Sequence, residues 1–347
     1  DTLGFWVSLS AMSDLMVSAE FSTYDGAATI PSDYSQVVNS AFSIPAGSLS
    51  VQVSVVTLEE TVYEANETFT VSLGALSNVS VGDDLGTGTI TNDDAVPQIT
   101  VYDLAINEGE TGSFVASLSS MSGVEVAFTW QTFYGTASAS DLTGVSATVV
   151  TIPIGQLTGL LPVVTTEDLL NEVSEAFLVS LSSAAGATFA DALADGSITD
   201  DDALPILYAV NAAAVTEGET SVFSVTLSAI SGQEVTFTYL TYDGTAIAAQ
   251  DYTQVNSSLA TIPAGGLTFT VNVVTTDDLR DEVSPENFAI SLSAAGNATI
   301  GQDLGTGSIN DNDNPPQVFV ADAADNEGET LIFWISLSGA SDLEITF

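Results

Sequence analysis

The sequence predicts an all-β protein built from tandem, seven-stranded antiparallel β-sandwiches, and three observations support this fold class. A segment that begins "EGET" recurs at Glu108, Glu217 and Glu327. Apolar residues alternate with small polar residues over stretches of strand length, and no stretch of comparable length shows a helical period. Turns rich in Gly, Asn and Asp separate these stretches. About seven such strands per repeat are typical of a β-sandwich.

The repeat predicts the domain organisation. Thr2, Thr111, Thr220 and Thr330 lie at equivalent positions, with spacings of 109, 109 and 110 residues. A repeat of this length is a normal domain size, not a solenoid repeat. We therefore predict a first domain over 1–95, a second over 96–203, a third over 204–314, and the start of a fourth domain or a donor segment for a neighbouring subunit over 315–347.

Alternation with a period of two marks the strands within each repeat. In the first repeat it covers 3–9, 49–55 and 69–73, and in the third repeat the same pattern returns over 223–227, 267–273 and 288–292. Alternation places every second side chain on one face of a strand, so each of these strands is expected to be half-buried.

Both ends of the chain cut through a repeat. Asp1 aligns with Glu110, so the first repeat lacks its opening strand and the preceding Glu-Gly pair. Two interpretations stay open. The chain is a window into a longer array, or the tail strand 317–321 completes the open first domain of a neighbouring molecule, because an unpaired sheet edge is a template for strand addition. Both interpretations predict head-to-tail continuation.

The composition excludes several classes of function. The 347 residues include 46 Asp and Glu, one cation (Arg280), no His and no Cys, for a net charge of −45. Because 45% of the residues are hydrophobic, we expect a folded protein with an acidic exterior. Such a surface repels nucleic acid and anionic membranes, and no apolar run approaches the roughly 20 residues of a membrane span. Without Cys, disulfides and zinc thiolate sites are excluded.

The acidic residues lie where strands end. In the third repeat they precede the first strand, follow the central strands, occur in the "YDGTA" and "QDY" turns, and close the repeat as "NDND". Neighbouring carboxylates about 4 Å apart repel by roughly 1 kcal/mol even in water, so a positive charge is expected there. The single basic residue of the chain, Arg280, cannot supply it for all of these acids. Many carboxylates without His or Cys favour a hard cation, and flexible loops favour Ca²⁺ over Mg²⁺.

With these motifs the chain resembles the Calx-beta family, which occurs in sodium-calcium exchangers, integrin β4 and many large bacterial surface proteins. The matching pattern is "EGET", "YDGTAIAAQDY", "IPAGG", "VVTTDDLRDEVSPENFAISL" and "NDND", in this order. The resemblance covers nearly the whole chain and implies tandem Ig-like sandwiches of a large, bacterial-type extracellular repeat protein. In calcium-binding members it also implies a cluster of Ca²⁺ at the junction with the next domain.

The resemblance implies metal ligands in each repeat. In the third repeat they are Glu217, Asp243, Asp277, Asp278, Glu282, Glu286, Asp311 and Asp313. In the second they are Glu108, Glu167, Asp168, Glu172, Glu175, Asp200, Asp201 and Asp202. In the first they are Asp25, Glu59, Glu60, Glu64, Glu67, Asp93 and Asp94. In the second repeat Tyr134 replaces the Asp of the "DGTA" turn, so this repeat is expected to have lost one oxygen donor.

Other interpretations of the acidic residues compete with calcium. Merely solvated acidic loops are the simplest alternative. An EF-hand loop is rejected because Pro315 follows "DNDN" and no Gly stands at the sixth position. A glycosidase with paired carboxylates needs a cleft with one buried carboxyl of raised pKa, whereas these acids cluster at turns and repeat with every unit. Arg280 is expected to be a counter-ion for the acids beside it, and no enzymatic activity is expected.

The sequence therefore predicts a structural function. Calcium held beside the short linker "NPPQ" would join consecutive domains into a stiffer rod, as in a stalk or filament subunit of a cell surface, adhesin or matrix. The alternative is a calcium-dependent binding module that recognises a glycan or protein ligand. Extracellular sites of this kind often bind in the 10⁻⁴ to 10⁻³ M range. We accordingly expect an extracellular or cell-surface location and head-to-tail self-association.

Overall fold

A computed structural model describes residues 1–346, and all the regular secondary structure in this range is β-strand. The predicted all-β fold class is confirmed. No helix that is long and apolar enough to cross a membrane occurs in the described range.

Contacts along the chain define two compact units. The first contains Asp1–Thr166 and Glu175–Ile198, and the second contains Glu167–Ser174 and the chain from Thr199 onward. The predicted boundaries at 95, 203 and 314 stay a prediction. The strands nevertheless group into three successive sandwiches and a final two-stranded sheet, and each is described below by itself.

The first sandwich has two sheets, with strand orders β1-β4 and β3-β2-β5-β6, and all of their pairings are antiparallel. Its strands are β1 (Thr2–Ser8), β2 (Val17–Tyr24), β3 (Ser40–Ile44), β4 (Ser50–Val56), β5 (Glu67–Ser77) and β6 (Leu85–Ile90).

The second sandwich has a four-stranded sheet, β12-β9-β7-β14, and a five-stranded sheet, β11-β10-β13-β15-β8. Its strands are β7 (Gln98–Val101), β8 (Leu104–Asn107), β9 (Thr111–Leu118), β10 (Val126–Tyr134), β11 (Thr148–Ile152), β12 (Thr158–Val164), β13 (Glu175–Ala185), β14 (Thr188–Asp191) and β15 (Leu193–Thr199).

The third sandwich repeats this arrangement in its sheets β21-β18-β16-β23 and β17-β24-β22-β19-β20. Its strands are β16 (Ile206–Val210), β17 (Val215–Thr216), β18 (Thr220–Leu227), β19 (Val235–Asp243), β20 (Ser258–Ile262), β21 (Thr268–Val274), β22 (Glu286–Gly296), β23 (Thr299–Gln302) and β24 (Leu304–Asn310).

The opening strand is divided between the two sheets of each complete sandwich. Its first half, β7 or β16, lies in the four-stranded sheet, and its second half, β8 or β17, lies in the five-stranded sheet. The first half pairs in parallel with the short strand β14 or β23, and β17 pairs in parallel with β24. The sandwich is therefore antiparallel except along the opening strand, which alternation alone does not indicate.

The last segment contains one two-stranded sheet. Strands β25 (Val318–Val320) and β26 (Ile335–Leu337) pair antiparallel, as β7 pairs with β9. The N–H of Gln317 donates to the hydroxyl of Ser338 over 2.8 Å, and the N–H of Gln98 donates to the hydroxyl of Ser119 over 2.9 Å. The assignment of 315–347 as the start of a fourth domain or as a donor segment for a neighbouring subunit stays a prediction.

All three cores contain an equivalent edge-to-face pair of phenylalanines, one from each sheet. The ring centroids of Phe223 and Phe288 lie 5.5 Å apart, and those of Phe114 and Phe177 lie 5.7 Å apart. A Cβ atom at Gly196, on the strand next to Phe177, would overlap the ring of Phe177, so the last strand needs a glycine at this position.

Candidate metal centre

The acidic loops of the first sandwich line one small cavity. Its volume is about 50 Å³. The predicted ligands that line it are Glu59, Glu60, Glu64, Glu67, Asp93 and Asp94, and Asp33 joins them. Oxygen atoms of Asp33, Glu64 and Glu67 lie within 4.8 Å of one another. Loops that are far apart in the sequence thus bring seven carboxylates to one point.

Crowding changes the acidity of this first site. Burial and the nearby carboxylate of Glu64 raise the pKa of Glu60 to about 7, and burial and Asp33 raise the pKa of Glu67 to about 7. A carboxyl in water titrates near 4.3. Without a cation, the site therefore holds protons that a divalent metal would displace.

The third sandwich carries a more deeply buried group of acids. Glu217, at the start of the "EGET" segment, is only 7% exposed, and its oxygen lies within 4.8 Å of oxygens of Asp278 and Asp313. Burial raises the pKa of both Glu217 and Asp313, and Asp311 raises both further. The Oδ2 atom of Asp313 is buried and makes no hydrogen bond within the described part of the chain.

Asp311 ties the terminal acidic run to the other loops. Its Oδ1 accepts from the N–H of Asp313 over 3.1 Å, and its Oδ2 accepts from the N–H of Glu282 over 3.3 Å. The N–H of Asn312 donates to Oε1 of Glu217 over 3.0 Å, and its side-chain amide donates to Asp277 over 3.3 Å. The "NDND" terminator is therefore a scaffold that joins Glu217 and the 277–282 loop.

Asp251, in the "QDY" turn, joins the same site through Glu282 and Glu286. It is 9% exposed, and its Oδ2 accepts from the N–H of Ile247. The pKa of both Glu282 and Glu286 is raised to about 7, mainly by burial and next by the nearby charge of Asp251. In the first sandwich Asp33 occupies the equivalent place. The ligand set predicted from the sequence omits Asp33 and Asp251, although "SDY" and "QDY" recur at the same position of their repeats.

The aspartates of the "YDG" turns, Asp25 and Asp243, have a different environment. Oδ1 of Asp243 accepts from the hydroxyl of Tyr252 and from the N–H of Ala248, and the tyrosine lowers the pKa of this carboxyl. Oδ1 of Asp25 accepts from Tyr34 over 2.8 Å in the same way. These carboxylates secure a buried tyrosine and their own turn. Their assignment as metal ligands stays a prediction.

The predicted ligands of the second repeat divide between the two compact units. Glu108 and Glu175 belong to the first unit, and Glu108 is 8% exposed. The others, which belong to the second unit, are Glu167, Asp168, Glu172, Asp200, Asp201 and Asp202. Within the second unit, Oδ1 of Asp200 accepts from the N–H of Glu172 over 3.0 Å, as Asp311 accepts from Glu282.

Arg280 has a partner outside its own loop. Its side-chain Nη1 lies 3.1 Å from Oδ1 of Asp342, in the segment that follows the third sandwich. Its backbone N–H donates to Oδ1 of Asp278 over 2.7 Å. Both side chains of the ion pair are about half exposed. The expected counter-ion for the adjacent acids is thus mainly paired with a residue of the next repeat.

These groups fit a divalent metal of the calcium type. Two oxygens bound to one Ca²⁺ at 2.3–2.6 Å lie at most about 5 Å apart, which the 4.8 Å groups satisfy. The donors are carboxylates alone, which suits a hard cation. Glu217 would hold it with Asp278 and Asp313 in the third sandwich, and Asp33 with Glu64 and Glu67 in the first.

Fold and site together define a class of protein: a tandem array of β-sandwiches with an acidic, all-oxygen loop cluster at a sandwich end. A model of the Calx-beta domain family matches residues 5–95 and 199–313, which is more than half of the chain. The chain belongs to the Calx-beta family. None of the curated proteins compared with it is similar.

Solved structures similar to this chain include domains of Calx proteins. CBD12 from CALX1.2 is 13% identical, with 61% of this chain and 99% of that chain covered and a TM-score of 0.30. The calcium binding domain CBD12 of CALX1.1 is 16% identical, with 56% and 78% covered and a TM-score of 0.29. The apo-form Calx CBD1 domain is 21% identical, with 32% and 100% covered and a TM-score of 0.30.

Proposed function

We propose that this chain is a calcium-binding array of Calx-beta domains whose metal sites stiffen the junctions between repeats. The observation that carries the proposal is the acidic group of the third sandwich, where the buried Glu217 lies beside the half-buried Asp278 and Asp313. The chain has one cation, Arg280, and this is paired with Asp342. Several like charges that are partly removed from water and have no cation of the chain beside them repel one another, so an external cation is the physical solution.

Calcium would act by displacing protons from the carboxylates and by replacing their mutual repulsion with coordination to the metal. In the metal-free state, Glu60, Glu67, Glu282 and Glu286 have pKa values of about 7. A divalent ion favours the ionised ligands and draws the loops together. At tenfold excess over Kd, one independent site adds roughly 1.4 kcal/mol to the free energy of unfolding. Several sites per chain would stabilise a protein that has no disulfides.

The finer role that we propose is an extracellular structural one, as a stalk or filament subunit of a cell surface, adhesin or matrix. Loop sites of moderate affinity fill at millimolar calcium, which is an extracellular concentration range. The net charge of −45 would keep such arrays apart from one another and make their stiffness depend on the divalent ion.

Calorimetric titration of the full chain with Ca²⁺ tests the metal sites. We expect saturable binding in wild type and loss of part of it in Glu217→Gln, which removes a buried charge from the third site. The matched control is Asp303→Asn, an exposed acid in a turn of the same sandwich. Absence of binding in wild type at about 5 mM Ca²⁺, well above the usual range for such sites, or equal binding by Glu217→Gln and wild type, would contradict this assignment.

We also propose self-association of the chain by strand addition. The first sandwich has a groove of about 700 Å³, lined by apolar residues that include Phe5, Val17 and Leu73 and by polar residues that include Ser13 and Asp84. In the second sandwich the position of this groove is occupied by strand β7, which contributes the buried residues Ile99 and Val101. The segment "PQVFV" before Ala321 matches "PQITV", and its strand β25 is exposed throughout. We propose that the β25 strand of a second copy leaves its pairing with β26 and fills the groove.

Sedimentation of the full chain over a range of concentrations tests this association. Val318 and Val320 correspond to the two buried residues of β7, so replacing both with Asp should abolish self-association. Phe319→Ser, on the other face of the strand, should leave it unchanged. A protein that stays monomeric at every concentration would overturn the proposal. So would a longer chain in which a strand that precedes residue 1 occupies the groove in place of β25. A monomer that captures a glycan or protein only with Ca²⁺ would favour the binding-module function.

A further inference from the structure

The same backbone contact joins each acidic loop to the sandwich that follows it. The N–H of Gly123 donates to the carbonyl of Tyr63 over 2.9 Å, and the N–H of Gly232 donates to the carbonyl of Asn171 over 3.1 Å. In each case the accepting residue immediately precedes a predicted ligand, Glu64 or Glu172. The third repeat makes the equivalent contact through Asp281. The contact therefore recurs where a metal loop ends.

Asn171 is the most highly connected of these residues. It is 8% exposed, and its side-chain amide donates to Oδ2 of Asp200 over 3.0 Å and to the carbonyl of Asp202 over 3.1 Å. Its Oδ1 accepts from the side-chain amide of Gln233 over 3.1 Å, and its carbonyl accepts from the hydroxyl of Ser231 over 3.3 Å. One buried side chain thus bonds the terminal acidic run of one repeat and a turn of the next.

The turn of the third sandwich also makes room for a predicted ligand. A Cβ atom on Gly232 would overlap the carboxylate of Glu172, and a Cβ atom on Gly123 would overlap that of Glu64. Neither glycine has a positive φ angle. The glycines therefore leave space for these carboxylates, each of which packs directly against the turn of the following sandwich.

We infer that the turn formed by Ser231, Gly232 and Gln233 of the third sandwich is part of the metal-binding apparatus of the second repeat. These three residues and Asn171 are positioning residues: they contact no metal themselves but hold the 167–174 loop and the acidic run that begins at Asp200. The inference rests on the proposed calcium function and deepens it. It means that each acidic loop is shaped by the next repeat in the array, so that a site and the junction beside it form one structure.

The contacts of the whole 167–174 loop agree with this inference. Residues 167–174 group with the third sandwich and not with the strands β12 and β13 that precede and follow them in the sequence. Ser231 is 1% exposed, so its hydroxyl is a buried polar group that needs the partners it finds at Asn171 and Gln233. A buried polar contact of this kind is expected to specify one arrangement of the loop.

Hydrogen exchange of the full chain, read peptide by peptide, tests the inference. In wild type, Ca²⁺ should slow exchange in 59–67, 167–174 and 277–286. In Gly232→Val, the Ca²⁺ concentration that protects 167–174 should rise about tenfold, the effect of losing roughly one buried hydrogen bond. Protection of 59–67 should be unchanged. Gly123→Val is the matched control and should show the reverse pattern, affecting 59–67 and sparing 167–174.

A metal-free measurement separates this inference from the proposed function. In EDTA, Gly232→Val and Gln233→Ala should both speed exchange in 167–174, whether or not calcium binds. If wild type shows no response to Ca²⁺ in any of the three segments, the calcium function fails while this comparison still decides the inference. If 167–174 exchanges at the wild-type rate in both variants, with and without Ca²⁺, the inference is overturned. If Gly232→Val unfolds β18, the milder Gln233→Ala alone decides between these outcomes.

Discussion

The second and third sandwiches have the same strands and sheet orders but differ at one turn. In the third, the carboxylate of Asp243 accepts a hydrogen bond from the buried Tyr252. In the second, Tyr134 stands in place of the aspartate and Leu142 in place of the tyrosine, and Leu142 is 1% exposed. Acceptor and donor have been replaced together, so neither leaves an unpaired partner.

Recurrence of an acid in a motif therefore does not define its role. From the sequence, Tyr134 indicates a lost oxygen donor and a weaker metal site. In the structure, the paired loss of Asp and Tyr has a sufficient explanation in the core: a buried hydroxyl requires an acceptor, and a leucine does not. The same Tyr252 ring stacks on Phe288 at 4.6 Å, which ties the turn to the centre of the third core.

The largest expected effect comes from calcium removal and tests whether the two sandwiches differ as metal sites. If Tyr134 replaces a ligand, EDTA should destabilise the second sandwich less than the third. If the exchange is structural, both should lose stability alike, by roughly 1.4 kcal/mol for each site that was at tenfold excess over its Kd. Unfolding monitored by hydrogen exchange in peptides of β13 and β22 distinguishes the two. No loss in either would contradict the metal sites themselves.

Transplanting the tyrosine should give the next largest effect. Leu142→Tyr alone places a hydroxyl in the second core opposite Tyr134 and is expected to destabilise by about 1–3 kcal/mol, the cost of a buried unpaired polar group. Adding Tyr134→Asp should recover much of this loss, because the acceptor is restored. A double-mutant cycle from chemical denaturation measures the coupling. Additive effects would show that the pair at Asp243 and Tyr252 acts independently.

The acidity of the third site makes a prediction about pH. Burial and Asp251 raise the pKa of Glu282 and Glu286 to about 7, so the folded metal-free chain binds protons that the unfolded chain releases near pH 4.5. Stability in EDTA should therefore be greatest near pH 5 and should fall as the pH rises through about 7. With Ca²⁺ the ionised ligands are needed, and the trend should reverse. Melting temperatures at about pH 5 and about pH 8, on either side of these pKa values, with and without Ca²⁺, check both signs.

The smallest expected effect concerns Arg280, whose equivalent in the second repeat is Leu170. The ion pair of Arg280 with Asp342 is half exposed, and such pairs contribute about 0–1 kcal/mol. Arg280→Leu should therefore change stability little at about 150 mM salt. Because it removes the only cation near Asp278, it should also make the third site respond more strongly to Ca²⁺. A shift above about 2 kcal/mol would show that the pair is structural.

The order of the residues is enough to predict the fold class, the repeat and the chemistry of the site. Alternation with a period of two is a local property, and the 109-residue repeat returns it three times, so the sandwiches follow from residue order alone. The acidic, all-oxygen character of the loops is likewise a matter of composition, because no His or Cys is present to compete.

Which acids share a site is visible only once the chain is folded. Asp243 and Asp251 are eight residues apart in one motif, but Asp243 faces Tyr252, whereas Asp251 lies with Glu282 and Glu286. The bond between Asn171 and Gln233 of the following sandwich is equally absent from any motif. The physical reason is that strand alternation depends on neighbouring residues, whereas the direction of a loop side chain depends on contacts that the fold makes between distant segments.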